Sequence, residues 1–476
     1  MLRGDRLSAL DAAFLDLDRP AAPLHVGWTL RLDGRPPSVA ALRRQIDARL
    51  DRVPRFRRRV VRPPLGLGDP QWADDPAFDV ARHVHALRLG APGRAADLPA
   101  LAGRLLSEPL DPRRPLWRVT LVDGLPAGFA IVGQAHHALV DGIAAVKVAM
   151  LLFDVEGAPA ELPEPSGWTP EPPPSTPVAA AAAALECAGR TWRGSRALAR
   201  ALGRADPAKL RDLRVAVEQL AAPAPPTGLD RSAGPERLVA FAETSLDAAR
   251  EAGRRDGATV NDVLLAAATV ALGRALRRRG ERHAWVKVLV PVNVRAAEDP
   301  AAGAGLGNQI SFMTVELPVG LTDSTEILRS VAAQTVARKA AGAAAPLHAV
   351  ARAGELLPGT ARRLVARAAA GAASFNAVVS SIPGPPVTLA MLGRRLTAVY
   401  PAVPFLEGHG LSIGAVSYRG RLQACVYADA EVVPDAVEIA RDLQHGFDAL
   451  RVPHAPEPPW RARARARRAQ RGAASR

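Results

Sequence analysis

Hydrophobic and polar positions along this chain fall into blocks that switch between the strand period of two and the helix period of 3.6. Ser8 is placed to cap a short helical turn with Asp11 at its third position. Val26 to Leu32 then reads as a strand ending at an Asp33-Gly34 turn, and Leu42, Ile46 and Leu50 mark one face of a helix. Pro54 to Val61 reads as a charged, exposed strand, followed by an extended stretch through Trp72, Phe78, Val80, His83 and Val84. Leu98 to Leu106 is helical. Arg118 to Val122, a turn from Gly124 to Gly128 and an apolar run from Gly128 to Gly133 form a hairpin, and Ile143 to Phe153 returns to helix.

From Gly157 to about Pro226 the pattern lapses. Pro and Glu crowd residues 159–177, an Ala-rich helix runs from Ala179 towards Leu202, and a second covers roughly Pro207 to Leu220. This region reads as a helical, Pro-rich crossover. Order then resumes with a strand from Leu238 to Ser245 and a helix from Leu246 to Arg255. A long helix opens near Thr259 and Asn261, either of which can cap it, and it is apolar nearly all round, so it is buried. Strands at Val286–Val294, Ile310–Leu317 and Phe375–Ser381 follow, with an Asp323/Glu326 capping box opening a helix from Ile327 to Ala341. A hairpin of Leu411–Tyr418 and Arg421–Tyr427 and a helix from Pro434 to Leu450 close the fold. The expected class is mixed α/β. The expected division is a first domain at 1–157, a crossover at 158–226, a second domain at 227–452 and a disordered basic tail at 453–476.

Composition adds limits. At 476 residues the chain can bury two cores, and with 48% hydrophobic residues it is globular. Aromatics are only 4%, so Ala, Val and Leu fill those cores. No run of about 20 apolar residues lacks charge, and Met1 to Arg6 leads into no signal-peptide core. With Cys187 and Cys425 far apart, the expectation is a reduced, cytoplasmic protein. The net charge of +15 is uneven: residues 460–476 hold seven arginines and no acid. That tail reads first as a solvated arm. Attraction to anionic lipid headgroups, with Trp460 at the interface, is the second reading and nucleic acid the third.

The chemistry concentrates at Gln134 to Gly142, Q-A-H-H-A-L-V-D-G, where the apolar strand ends and a helix begins. A neutral imidazole there can take a proton from a hydroxyl as it attacks an acyl carbonyl and return it to the leaving group. Adjacent side chains on extended backbone point opposite ways. His137 is therefore assigned as the base and His136 as its support. Asp141 either caps the helix or pairs with a buried arginine, and Gly142 lets the backbone pass close to a ligand. A structural or solvated His pair is the bland alternative. Metal binding is disfavoured, because there is no H-E-x-x-H and no nearby Cys, and adjacent histidines chelate one ion poorly.

The motif resembles the H-H-x-x-x-D-G signature of the superfamily that holds chloramphenicol acetyltransferase, carnitine acyltransferases and peptide-synthetase condensation domains. The ordered set of landmarks resembles the bacterial wax ester synthase/diacylglycerol acyltransferase family. The set comprises the L-S-x-x-D-x-x-F-L opening at Leu7–Leu15, Pro115-Leu116-Trp117, His136–Gly142, Asn261-Asp262, Gly307-Asn308 and Ser380–Pro385. The resemblance implies two chloramphenicol-acetyltransferase-like domains around a central cleft. It also implies acyl-CoA as donor and substrate, no cofactor, and diacylglycerol or a long-chain alcohol as acceptor. Peripheral contact with a membrane or lipid inclusion fits these substrates, and nucleic acid is not expected as a partner. His137 would deprotonate the acceptor hydroxyl, which attacks the thioester directly.

Asn261, Asp262, Pro115, Leu116, Trp117 and Ser381 are then the implied substrate-binding residues. Asn261 is either an oxyanion donor or a plain helix cap. Pro115 to Trp117 line an acyl channel or simply fill core, and Arg295 is the suggested partner of Asp141. One departure is visible: the family pattern S-N-V-P-G-P has Ser381 and Ile382 in place of its Asn and Val. Two rival functions remain. One is acyl transfer to a polyketide, peptide or sugar hydroxyl; the other is a non-catalytic lipid-surface protein. Gly410-Leu411-Ser412-Ile413-Gly414 matches the G-x-S-x-G elbow of lipases, but its neighbours continue as strand, and Gly303, Gly305 and Gly307 lack the context of a dinucleotide site.

Overall fold

The computed structural model describes residues 7–62, 70–90, 97–157, 167–171, 222–231, 234–293, 310–340 and 374–451, with residues 94, 189, 192 and 196 besides. Helix α1 (Ala9–Leu17) starts where Ser8 Oγ accepts the N–H of Asp11 at 3.0 Å. It is followed by β1 (His25–Leu32) and α2 (Val39–Asp47), which buries Leu42 and Ile46. A small two-stranded sheet joins β2 (Arg58–Val61) to β3 (Gln71–Asp74). Next come β4 (Val84–Arg88), α3 (Asp97–Ser107), β5 (Trp117–Asp123), β6 (Phe129–His136), α4 (Gly142–Leu152) and β7 (Asp154–Val155). From residue 237 onward lie β8 (Arg237–Ser245), α5 (Leu246–Arg255), α6 (Val260–Arg278), β9 (Val286–Asn293), β10 (Ile310–Leu317) and α7 (Ser324–Ala340). The chain continues through β11 (Ala377–Pro383), β12 (Leu389–Met391), β13 (Arg394–Ala402), β14 (Leu411–Tyr418), β15 (Arg421–Asp429) and α8 (Ala436–Arg451).

Two larger sheets organise these elements: a seven-stranded one in the order β4-β5-β6-β1-β13-β12-β7, and a six-stranded one in the order β10-β9-β11-β14-β15-β8. Residues 389–402 come from the second half of the sequence yet join the first sheet, where β13 pairs antiparallel with β1 from Gly27↔Ala402 to Leu32↔Leu396. The chain passes from β13 straight into β14 of the other sheet, so this strand ties the halves together. A core of Leu101 and Leu106 from α3, Val132, Val239, Tyr400, Phe405 and Tyr427 fills the space where the two sheets meet. Helix α6 is buried along most of its length against the second sheet, as its all-round apolar pattern requires.

Differences from the sequence expectation are local. Pro54–Arg57 is a 3-10 turn, and strand begins only at Arg58. Proline fixes φ at the first position of that turn. Arg57 is 2% exposed rather than solvated: its guanidinium pairs with Asp51 and, at 3.3 Å, with Asp47, and it lies 5.0 Å over the Trp168 ring. The hairpin β12–β13 had no sequence signal, because its turn places Leu392 (φ 52°) and Gly393 (φ 76°) in the left-handed region where Asn-Gly is usual. Helix α6 is capped by Thr259, not Asn261. The helices expected at 179–202 and 207–220, the Gly303–Asn308 loop, Arg295, Cys187 and the basic tail with Trp460 lie outside the described residues. Among the described residues no single helix is long and apolar enough to cross a membrane.

Candidate active site

Every residue of β6 is buried, and the strand delivers His136 to the edge of the core with 2% exposure. Its two neighbours set the register. His136 N–H donates to Leu116 O at 2.9 Å on the β5 side, and His136 is the direct partner of His25 on β1. Residues opposite each other on antiparallel strands share a face. The His25 and His136 rings accordingly meet edge-on with centroids 5.8 Å apart. The chain then turns: Leu139 N–H donates to His136 O at 2.8 Å, and Ala138 N–H donates to His136 Nδ1 at 3.0 Å. An Nδ1 that accepts carries no proton, so the neutral His136 ring is protonated on Nε2. That Nε2 lies 3.6 Å from Asp18 Oδ2. Burial pushes the neighbouring His25 imidazole down to about 3.

His137 faces the other way. Its backbone N–H donates to Leu24 O at 2.8 Å, and its half-buried ring stacks on Phe14 of α1 with centroids 4.2 Å apart and an interplanar angle of 24°. The two imidazoles thus have different surroundings, His136 buried beside His25 and His137 half-buried against Phe14. Asp141 is fully buried as the N-cap of α4: Oδ1 accepts Ala144 N–H and its carbonyl accepts Ala145 N–H, each at 2.7 Å. Gly142 begins the helix against the second sheet, where a Cβ would stand 2.7 Å from Ile382 Cδ1.

Behind this turn lies an apolar cavity of about 130 Å³. It runs under α4, between that helix and β1, β6 and β13, and reaches the His137 turn at Val140 and Gly142. Trp28 and Ile131 line its floor and Ile382 closes it from the second sheet. Its walls are almost wholly hydrocarbon, as a site for an alkyl chain needs.

The remaining sequence candidates fall outside this cavity. Trp117 is 4% exposed, donates from Nε1 to Phe56 O at 2.7 Å and stacks on His83 at 4.5 Å; Pro115 and Leu116 are buried beside it. All three are buried and none lines this cavity, and Leu116 O accepts the His136 N–H. Asp262 is 1% exposed with both oxygens engaged: Oδ2 accepts from Thr259 N at 2.8 Å, and Oδ1 accepts from Thr335 Oγ1 on α7 at 2.8 Å. It is a capping-box residue that also clamps two helices. Asn261 is half-buried in the first turn of α6. Among the described residues no hydrogen bond joins either side chain to the His137 turn. Ser381 pairs with Ala415 on the α6 side of β11, while Ile382 pairs with Val416 and faces the cavity. Of the two departures from the family pattern, the one in the cavity wall is therefore Ile382. Ser412 is fully buried near the start of β14, which continues as strand, and donates from Oγ to Val403 O, so no nucleophile elbow exists there. Sequence reasoning assigned no role to Asp18, His25 or Phe14. The local signals were Phe14 in the L-S-x-x-D-x-x-F-L opening and a histidine directly ahead of an apolar strand.

Comparison with known proteins decides the family. The profile described as the wax ester synthase/diacylglycerol acyltransferase catalytic domain matches residues 7–264, and that of the WS/DGAT C-terminal domain matches 306–451. The chain belongs to the wax ester synthase/diacylglycerol acyltransferase family. It is accordingly an acyltransferase. A Mycobacterium tuberculosis protein named as a probable diacylglycerol O-acyltransferase, tgs1, is 30% identical over 468 residues, covering 94% of this chain and 96% of the relative. A second M. tuberculosis protein with a diacylglycerol O-acyltransferase name is 29% identical over 472 residues, covering 94% and 90%. Among solved structures, the wax ester synthase/diacylglycerol acyltransferase of Marinobacter aquaeolei VT8 superposes with a TM-score of 0.65 at 22% identity, covering 94% and 98% of the two chains. The first condensation domain of the calcium-dependent antibiotic synthetase gives 0.59 at 15% identity, covering 95% and 97%. The two-sheet architecture is thus the chloramphenicol-acetyltransferase-like fold of this superfamily.

Proposed function

We propose that this WS/DGAT-family protein transfers a fatty acyl group from acyl-CoA to the hydroxyl of diacylglycerol or a long-chain alcohol, with His137 as the general base. The observation that carries the proposal is a half-buried imidazole in a turn whose Val140 and Gly142 wall a hydrocarbon-lined cavity. The acceptor hydroxyl gives its proton to His137 as its oxygen bonds to the thioester carbon. The tetrahedral intermediate collapses with cleavage of the C–S bond, and the leaving CoA sulfur takes the proton back, so no acyl-enzyme forms and no cofactor enters. His137 Nδ1 is buried, which leaves Nε2 as the nitrogen assigned to the hydroxyl. Each methylene placed in the cavity contributes roughly 0.8 kcal/mol to holding the chain. Both lipids partition into membranes or lipid inclusions, so the protein works at such a surface, and the arginine-rich tail supplies attraction to anionic headgroups.

The test is palmitoyl-CoA with either hexadecanol or dioleoylglycerol, following free CoA and neutral lipid together. Ester formation that requires the acceptor and disappears in His137→Ala is the expected result. CoA release without ester, or full transfer by His137→Ala, would overturn the proposal.

A further inference from the structure

We propose that Asp18 is a positioning residue for His137, acting on both peptide N–H groups that flank the base. The inference rests on the assignment of His137 above and adds a residue that neither the motif nor the sequence pattern contains. Asp18 is the C-cap residue of α1, in the loop that leads to β1. Its Oδ1 accepts Leu24 N–H at 2.8 Å, and Leu24 O accepts the N–H of His137 at 2.8 Å. Its Oδ2 faces His136 Nε2 at 3.6 Å, and His136 Nδ1 accepts the N–H of Ala138 at 3.0 Å. The peptide hydrogens on either side of the His137 Cα are thus each held by a group whose far end is the same carboxylate.

This arrangement specifies more than a backbone path. His136 Nδ1 can accept from Ala138 only while the ring proton sits on Nε2, and Asp18 is the acid on that side. His136 Nε2 is buried and has no closer acceptor among the described residues. Burial raises the Asp18 carboxyl, but the nearby His136 ring and the Leu24 N–H outweigh it and hold the group below its usual range, so it is ionised. The loop is also anchored from the second sheet: Arg237 donates to Ala21 O at 2.7 Å while its guanidinium lies 3.6 Å from the Asp429 carboxylate. Asp18 therefore acts from a fixed platform.

Asp18→Asn separates the two links. If the amide oxygen keeps Leu24 N–H, the amide nitrogen meets the proton on His136 Nε2; if it is flipped, it meets Leu24 N–H. One link fails in either orientation. Displacing a catalytic group by about 1 Å costs up to roughly a hundredfold in rate. The expected result is a kcat lowered roughly tenfold to a hundredfold in Asp18→Asn, with KM for palmitoyl-CoA and for acceptor unchanged and the near-ultraviolet circular dichroism retained. Asp18→Glu, which restores the charge, recovers part of kcat. In histidine-labelled protein, the nitrogen shifts of His136 move away from the Nε2–H tautomer when the Asp18→Asn amide nitrogen faces the ring, and Leu24 N–H loses its protection from exchange when the amide oxygen does. His137→Ala run alongside separates the two claims. If His137→Ala is inactive while Asp18→Asn keeps wild-type kcat, positioning by Asp18 is overturned and the base assignment stands. If His137→Ala is active, both fall. Should Asp18→Asn fail to fold, a folded Asp18→Glu with unaltered kcat and an unaltered His136 tautomer overturns the proposal equally.

Discussion

The contact between Gly142 and Ile382 makes a sharp prediction, because one atom carries it. A Cβ built on Gly142 stands 2.7 Å from Ile382 Cδ1 and 3.2 Å from Cγ1. Carbon atoms in good contact sit at about 3.5–4.0 Å, so Gly142→Ala forces the δ-methyl aside by roughly 1 Å at the cavity wall. Overpacking of that kind costs about 1–3 kcal/mol. Gly142 does not occupy the left-handed region, so the backbone itself accepts alanine and the clash alone is tested. Ile382→Val removes Cδ1 and by itself costs about 0.5–1.5 kcal/mol. In the double variant the closest approach becomes the 3.2 Å contact, which a small shift relieves. Urea unfolding of the four proteins should show the double variant more stable than the sum of the singles by about 1 kcal/mol or more. Chain length reads the same contact through function. Removing the δ-methyl lengthens the cavity, so Ile382→Val should raise kcat/KM for longer acyl-CoAs relative to shorter ones, and Gly142→Ala should do the reverse. Additive stabilities together with an unchanged chain-length profile would refute the geometry.

Other perturbations separate structural from chemical roles. Asp262→Ala removes a capping box and the Thr335 clamp and should cost about 1–3 kcal/mol in urea unfolding, with the activity of the protein that remains folded near wild type. Ser412→Ala loses one buried hydrogen bond, about 1 kcal/mol, and should keep full transferase activity, whereas a hydrolase reading requires its loss. Burial pushes His409 down to about 4, so between pH 6.5 and 4 the unfolded chain takes up a proton that the native one refuses. Stability should fall across that window by about 3 kcal/mol from this group alone, seen as a drop in urea midpoint; a flat profile would contradict it.

The elements were legible where a period of two or 3.6 ran uninterrupted. β8 and α5 follow from local pattern because each buries one face, while β6, β14 and β15 are short apolar runs buried on both faces and bounded by turn residues. Legibility failed where a side chain overrode its composition. Arg57 looks solvated in a run of arginines, yet acids at 47 and 51 and the Trp168 ring draw it inside. β12 is three residues long and its turn uses leucine at positive φ, so neither length nor turn chemistry announced it.

The site shows the same limit more strongly. H-H-x-x-x-D-G named the turn, but what makes that turn a site is contributed from far along the chain. β13, whose residues line the cavity, pairs with β1 across more than 360 positions, and Ile382 closes the wall from the other sheet. Long-range pairing of this kind has no local signature, because the register is set by which faces are buried together. Asp18 is the extreme case. In sequence it is one of two acids in Asp16-Leu17-Asp18 at the end of an amphipathic turn, with every local reason to be solvated. Its reach to Leu24 and His136 exists only because β1 lies beside β6 with His25 opposite His136. Change that register by one residue and every side chain on β1 turns to the other face. The carboxylate would then lose both routes to the proposed base, and so the positioning proposed for Asp18 depends on the pairing of β1 with β6.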